Sequence, residues 1–192
     1  DRYEDKLGTY LVKLSSSALS MSDSKEISTL LHTIGDFERL GDHAVNLLKT
    51  AKEITDKEIV FSDDAGKEID TLTDAIQNIL TITVDSFTSG DLEHAIDVEP
   101  LEQVIDELIA TIKANHIRRL QHGNCTIELG FVLSDLLTNY ARISDHCSNI
   151  AVAMIEVAQN SFDTHEYLNS IKTMENEEFK KRFQKYIEQY KL

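Results

Sequence analysis

Apolar residues recur every three or four positions along most of the chain, and short polar clusters interrupt this pattern at a few places. The recurrence is typical of amphipathic helices that bury one face. Serine, aspartate, asparagine and glycine mark the interruptions near residues 20–24, 62–64, 89–91 and 122–124. The pattern predicts six long antiparallel helices over about residues 1–19, 24–55, 63–88, 92–121, 126–160 and 165–190.

Residues that break helices are rare in this chain. It holds a single proline, Pro100, and seven glycines among 192 residues. β-Branched residues seldom alternate with polar ones, as they would in half-buried strands. Because so few breakers leave room for long helices, we predict an all-α fold.

An internal repeat divides the chain. The segment 42–46 returns 103 residues later as 145–149, with Asp, His and Asn at the same places. The same offset maps the third predicted helix onto the sixth. Because a fixed offset indicates a duplicated unit of several helices, we predict one domain over residues 1–192. It would consist of repeat 1 (1–89) and repeat 2 (90–192), each a three-helix bundle.

The charge of the chain limits its partners. With 19 basic and 34 acidic residues, the formal net charge is −15. Such a surface repels nucleic acid and anionic lipid and favours cations, metals or basic protein surfaces, although acidity also serves solubility alone. No apolar run reaches the ~18 residues of a membrane span, and the two cysteines form no CxxC pair. We therefore predict no nucleic-acid partner, no direct membrane insertion and a reducing, cytosolic setting.

One acidic pair stands out within the second predicted helix. Glu38 and Asp42 are four residues apart and so share a helix face. A helical wheel puts Glu38 on the flank of the apolar stripe, where an unpaired carboxylate is costly. The same wheel places Asp36 and His43 on the opposite, solvated side.

Two glycines, Gly35 and Gly41, interrupt the same predicted helix. Each costs ~1 kcal/mol relative to alanine inside a helix. Close approach of a neighbouring helix would explain them, and Ser144, which is also small, stands at the position of Gly41 in the second repeat.

Further acidic residues with the same spacing stand in the first and fourth predicted helices and in the repeated motif. Facing pairs of carboxylates suit hard or borderline divalent or trivalent cations. An acidic chain also produces such pairs by chance, as part of a solvated face. The candidate metal ligands are Asp1, Asp5, Glu38, Asp42, Glu102, Asp106 and Asp145.

The second repeat departs from the acidic pattern at Ala141, which stands where Glu38 stands in the first. If metal binds, the half with Glu38 and Asp42 should therefore hold it better than the half with Asp145. The chain contains no HExxH, no Glu-x-x-His pair, no phosphate-binding P-loop and no Gly-x-Ser-x-Gly. We predict no catalytic residues and no enzyme.

Two segments, 37–46 and 140–151, resemble the signature segments of the PhoU family. Other segments resemble the PhoU-like domain that ends bacterial sodium–phosphate cotransporters, namely 3–11, 99–106, 116–120 and 134–139. The resemblance covers almost the whole chain. It implies two tandem three-helix bundles and a role in phosphate uptake or its regulation. In some members it also implies iron or zinc on paired acidic residues, here including Glu38 and Asp42.

The resemblance leads to three functional hypotheses. The leading one is a regulatory domain on the cytoplasmic side of the cell membrane, joined to the transmembrane sodium/phosphate transporter portion of the same chain. The sequence starts at Asp1 without a methionine, which fits this hypothesis. A second is a stand-alone PhoU-like adaptor that binds a sensor kinase or an ABC transporter. A third is a metal-dependent helical enzyme or metal store, and homo-oligomer formation stays open.

Overall fold

A computed structural model describes residues 2–159 and 177–192. Within these ranges the chain is helical without any strand, so the predicted all-α fold with six long helices is confirmed. The helices are α1 (Arg2–Ser15), α2 (Met21–Asp56), α3 (Asp63–Ser89), the single turn α4 (Leu92–Ala95), α5 (Val98–Gln121), α6 (Ile127–Gln159) and α7 (Glu177–Gln189). The predicted start of the last helix near residue 165 lies outside the described residues. No helix of the described parts is long and apolar enough to cross a membrane.

The ends of the long helices follow from local side-chain chemistry. Helix α2 begins earlier than predicted, because Ser20 Oγ accepts a hydrogen bond from the Asp23 backbone N–H at 3.1 Å and Asp23 caps Ser20 in return. Ser62 caps α3 in a similar way. Gly90 caps the end of α3, and its φ of 71° lies in the left-handed region that glycine adopts without strain.

The predicted fourth helix is split into α4 and α5. Asp91 caps α4 by accepting from the backbone N–H groups of Glu93 and His94. Pro100 falls in the first turn of α5, where its missing N–H leaves no bond unmade. In one continuous helix the same proline would delete the bond to the Ile96 carbonyl, so the break precedes it.

The core lies among α3, α5 and α6. Helix α6 packs along α2 on one side and against α3 and α5 on the other, whereas α1 contacts α2 and α7 contacts α5. The side chains that are wholly buried include Leu72, Ile79, Leu101, Ile105, Ile112 and Ile150. Each contributes about 1.5–3 kcal/mol through burial. Helix α3 belongs to repeat 1 in sequence but packs with helices of repeat 2.

Candidate functional site

The two copies of the repeated motif meet where α2 packs on α6. His43 Nδ1 lies 2.9 Å from Asn139 Oδ1, and His146 Nδ1 lies 2.8 Å from Asp36 Oδ1. Asn139 and His146 stand 103 positions after Asp36 and His43, so the pairs are reciprocal. The two helices therefore run antiparallel about a pseudo-twofold axis that passes between the histidines. We call these four residues the α2–α6 polar seam.

The polar seam is largely shielded from solvent. Asp36 and His146 expose only 17% and 19% of their side chains. The wheel prediction that Asp36 and His43 face solvent is wrong, because the wheel followed apolar residues alone. On this side of α2, six residues are spaced alternately three and four positions apart, and none of them is exposed. They are Thr33, Asp36, Leu40, His43, Leu47 and Thr50. Such heptad spacing, with a histidine repeated in both copies, is the signal that could have identified the seam.

Neighbouring polar groups fix the orientation of the side chains in the polar seam. Asn139 Nδ2 donates to the Asp135 carbonyl at 2.8 Å, which leaves Asn139 Oδ1 to accept from His43. The Asp36 carboxylate accepts from His146 and also from Asn149 Nδ2 at 3.2 Å. Because both partners are acceptors, each imidazole carries a proton on Nδ1. The two rings lie 5.6 Å apart between centroids and are tilted by 30°.

An arginine, Arg39, lies near both carboxylates of the predicted acidic pair on α2. Arg39 Nη1 lies 3.5 Å from Asp42 Oδ2, and Arg39 Nε lies 4.0 Å from Glu38 Oε2. Repeat 2 has the same arrangement, with Arg142 Nη1 3.1 Å from Asp145 Oδ2. The Arg39–Asp42 and Arg142–Asp145 pairs are exposed, and such pairs contribute about 0–1 kcal/mol to stability. The arginines therefore partly neutralise the carboxylates that were predicted to attract a cation.

The other predicted ligands are distributed over two further helices. Asp5 is exposed on α1, and Asp106 is exposed on α5 beside the half-buried Glu102. Asp1 lies outside the described residues. Within the described ranges, no three or more histidine, cysteine, aspartate or glutamate side chains come together in a way that could hold a metal ion. The predicted metal site stays a prediction, and no step of the function proposed below depends on it.

The glycines of α2 do not mark a close helix contact among the described residues. A Cβ added at Gly41 would meet nothing within 4 Å, and one added at Gly35 would make an ordinary 3.7 Å contact with Glu4 Oε1. The predicted close approach is therefore wrong at Gly41. The tight contact lies instead at Gly130 on α6, where a Cβ would lie 2.8 Å from His116 Nε2 on α5.

The two helices that carry the repeated motif, α2 and α6, differ in how far other helices of the chain cover them. On α2, Val45 and Leu48 expose 53% and 71% of their surface. Ser148 and Ala151, at the same repeat positions on α6, expose 8% and 3%. The difference arises because α3 and α5 both pack on α6. Helix α2 therefore keeps an open face, which we define as Gly41, Ala44, Val45, Leu48 and Ala51, all of them exposed.

Comparison with known proteins identifies the family. Residues 1–51 and 69–154 match the family described as "PhoU domain", and the chain belongs to it. The matched ranges cover most of α2 and α6 and include all four residues of the polar seam. The resemblance of the signature segments to this family is thereby confirmed.

Several curated relatives carry the same family name. The "Phosphate-specific transport system accessory protein PhoU homolog 1" of Thermotoga maritima is 26% identical over 136 residues, which cover 70% of this chain and 58% of that protein. The "Phosphate-specific transport system accessory protein PhoU homolog" of Caulobacter vibrioides is 29% identical over 114 residues, which cover 59% of this chain and 49% of that protein. The chain thus spans about half the length of these relatives. No solved structure matches it.

Proposed function

We propose that this chain is a regulatory, non-catalytic domain that controls phosphate uptake by binding a protein of a phosphate transport system. Membership of the PhoU domain family and the names of the relatives support this role. The observation that carries the proposal is the open face of α2. It lies on α2, one of the two helices that carry the repeated motif, and among the described residues no helix covers it as α3 and α5 cover the counterpart face of α6. The domain would act on the cytoplasmic side of the membrane.

The occupant of the open face would be a helix of the transport partner. On α6 the equivalent stripe lies under other helices of this chain, and four of its five residues are small: Ser144, Cys147, Ser148, Ala151 and the larger Met154. The open face has the same small-residue character, with Gly41 and two alanines beside Val45 and Leu48. Burial of Val45 and Leu48 by a partner would contribute up to about 3 kcal/mol together.

Two routes would bring this helix to the domain. The relatives' names favour a separate protein of a phosphate-specific transport system, to which the chain would bind as an accessory. The segments that resemble cotransporter domains support a transmembrane sodium/phosphate transporter portion of the same polypeptide instead. The full reading frame separates the routes, because transmembrane segments upstream of Asp1 would favour the second.

Phosphate uptake in the native host tests the proposal. We would combine Val45→Glu with Leu48→Glu and compare uptake of radiolabelled phosphate in phosphate-rich and phosphate-starved cells. Both sites are exposed, so the free energy of unfolding should change by only about 0.5 kcal/mol per site. The expected result is the same loss of control by phosphate that deletion of the whole domain causes. Ile127→Glu is the matched control, since Ile127 is also 71% exposed but lies on α6.

The possible outcomes test the regulatory function and the open face as its docking site separately. Unchanged control of uptake after deletion of the domain would overturn the regulatory function itself. Altered control after deletion, together with normal control in the Val45→Glu and Leu48→Glu variant, would retain the function but reject the open face as its docking site. A photo-crosslinker at position 48 should couple to a phosphate transport protein, and coupling there but not at position 127 would support the surface.

A further inference from the structure

We propose that a cavity between α5 and α6 binds a short aliphatic carboxylate, with the apolar chain against leucine and isoleucine side chains and the head group beside Lys113. The cavity has a volume of about 210 Å³. This is below the roughly 300–1,000 Å³ of pockets for drug-sized ligands, so the cavity suits a smaller molecule. All its lining residues belong to α5 and α6, and the proposal does not depend on the open face of α2 or on the proposed function.

The repeat explains why the cavity is present on α6. Helix α1 packs on α2 as α5 packs on α6. Gly130 and Ser134 of α6 stand 103 positions after Ile27 and Leu31 of α2. Ile27 is buried and Leu31 is half-buried, so two large apolar side chains occupy these places in repeat 1. A glycine and a serine at the same places leave space open in repeat 2.

The imidazole of His116 forms the wall of the cavity next to Gly130. A Cβ added at Gly130 would lie 2.8 Å from His116 Nε2, which is buried and has no hydrogen-bond partner among the described residues. Burial and, secondly, the charge of Arg119 lower the pKa of His116. The ring is therefore neutral at pH 7 and does not serve as a counterion for a ligand.

Apolar side chains line the cavity from both helices. Leu133 and Leu137 belong to α6, and Ile117 belongs to α5. The two leucines are almost wholly buried, whereas Ile117 exposes 55% of its surface. An aliphatic chain in the cavity would cover part of Ile117, and each methylene group buried there would contribute about 0.8 kcal/mol before the cost of binding.

The charges around the cavity favour an anion, although the chain as a whole is acidic. Residues 108–127 contain no acidic residue but include Lys113, Arg118 and Arg119. Arg119 is paired with Glu68, whereas Lys113 has no carboxylate within 4 Å among the described residues. Acidic residues farther away are screened over about 8 Å at physiological ionic strength. Lys113 therefore offers a positive charge at the cavity that no residue of the described chain neutralises.

The polar groups of the lining suit a carboxylate. Lys113 has a flexible side chain with three donors, and the exposed Ser134 adds a hydroxyl group. One ammonium group balances the single charge of a carboxylate. A phosphate ester, with nearly two negative charges, would keep an excess charge within a chain of net charge −15.

Isothermal titration calorimetry with sodium octanoate tests the proposal. We expect saturable binding of one octanoate per chain. Ser134→Leu introduces the leucine that repeat 1 carries at this place, and it should abolish binding because the side chain fills the cavity. Thr138→Leu is the matched control, since Thr138 is exposed one turn further along α6 and does not line the cavity. Both substituted sites are exposed, so circular dichroism should show both variants folded.

A second pair of variants tests the charge. Lys113→Met should weaken octanoate binding roughly fivefold or more, because it removes the counterion of the head group. The same variant should change the affinity for 1-octanol, which has no charge, by less than twofold. Lys6→Met removes an equal charge from an exposed site on α1 and should leave octanoate binding unchanged. Equal weakening in both lysine variants, or unchanged binding in Ser134→Leu, would overturn the site.

A measurement on the unaltered chain avoids any effect of substitution on folding. In methyl NMR spectra, octanoate should shift the resonances of Ile117, Leu133 and Leu137 with one common dissociation constant. Shifts confined to other methyl groups, such as those of Val45 and Leu48, would reject the cavity as the binding site. Absence of any octanoate binding would reject the proposal as a whole.

Discussion

At the scale of single residues, the Glu68 carboxylate accepts three side-chain hydrogen bonds from helix α5. Its carboxylate is buried on α3 and accepts hydrogen bonds from Arg119 Nη1 and Nη2 at 3.0 and 2.8 Å, and from Asn115 Nδ2 at 2.8 Å. The hydrogen bond from Arg119 to Glu68 also raises the pKa of the arginine. The contact joins α3 to α5 and therefore links the two repeats.

Glu68→Ala should lower the free energy of unfolding by about 3 kcal/mol, because it leaves the shielded Arg119 guanidinium without its counterion. Urea denaturation monitored by circular dichroism gives the value. Glu177→Ala serves as the control, since Glu177 pairs with Lys180 at the surface and contributes little. A loss below about 1 kcal/mol for Glu68→Ala would show that water replaces the ion pair without cost.

The two cysteines should differ in reactivity. Cys147 is fully buried, and desolvation raises the pKa of its thiol to about 12. The reactive thiolate of Cys147 is therefore almost absent at pH 8, and it gains population only as the pH approaches that value. Iodoacetamide at pH 8 should label the half-exposed Cys125 alone in the folded protein and both cysteines in urea, as measured by mass spectrometry. Equal labelling in the folded state would contradict the burial of Cys147.

At the scale of helices, the polar seam determines how α2 and α6 pair. His43 on α2 contacts Asn139 on α6, and the equivalent residues of the other repeat, His146 and Asp36, make the same contact in the opposite direction. A polar position within a heptad seam specifies register, because a shifted register would bury the same groups without partners. Asp36 is replaced by Asn139 in the second repeat, so only one of the two pairs contains a carboxylate.

A double-mutant cycle should detect this difference. We expect a coupling free energy of about 1–2 kcal/mol between Asp36 and His146, and about 1 kcal/mol or less between His43 and Asn139. The first pair has a charged acceptor, which strengthens its hydrogen bond. Urea denaturation of the alanine variants in EDTA gives both values. Additive effects in both cycles would mean that the seam contributes shape and not hydrogen bonding.

Two glycines in different settings should respond to alanine with opposite signs. Gly41→Ala should raise the free energy of unfolding by about 1 kcal/mol, because Gly41 is helical and its Cβ would meet no described atom within 4 Å. Gly90→Ala should lower it by about 1–2 kcal/mol, because the φ of 71° is strained for alanine. Thermal unfolding of both variants checks the pair. Destabilisation by Gly41→Ala would reveal a contact that the folded chain needs at this position.

At the scale of the whole molecule, α3 makes the two repeats interdependent. Its buried residues Leu72, Ile76 and Ile79 belong to one core cluster with residues of α5 and α6. A fragment of residues 1–89 should therefore lack a cooperative unfolding transition, whereas residues 63–192 should retain one. Calorimetry of the two fragments distinguishes these outcomes. Cooperative unfolding of residues 1–89 would show that α1, α2 and α3 form a stable bundle alone.

The sequence patterns predicted the helices themselves better than they predicted which helices pack against each other. The all-α fold and the six long helices followed from apolar spacing and scarce breakers, and the family followed from the resemblance of its signature segments. The break before Pro100 was missed because an early proline is compatible with a continuous pattern. The polar seam was missed because Asp36 and His43 are hydrophilic, and a wheel assigns such residues to solvent unless a second helix carries their partners.

The interleaving of α3 with later helices also has a consequence during synthesis of the chain. Its partners on α5 and α6 are complete only when α6 ends at Gln159, 70 residues after α3 ends at Ser89. At about 5–20 residues per second, the ribosome needs roughly 4–14 s to supply them. A nascent α3 therefore exposes apolar surface for seconds, when chaperones or aggregation compete for it. Slowing translation between α3 and α6 should increase that competition.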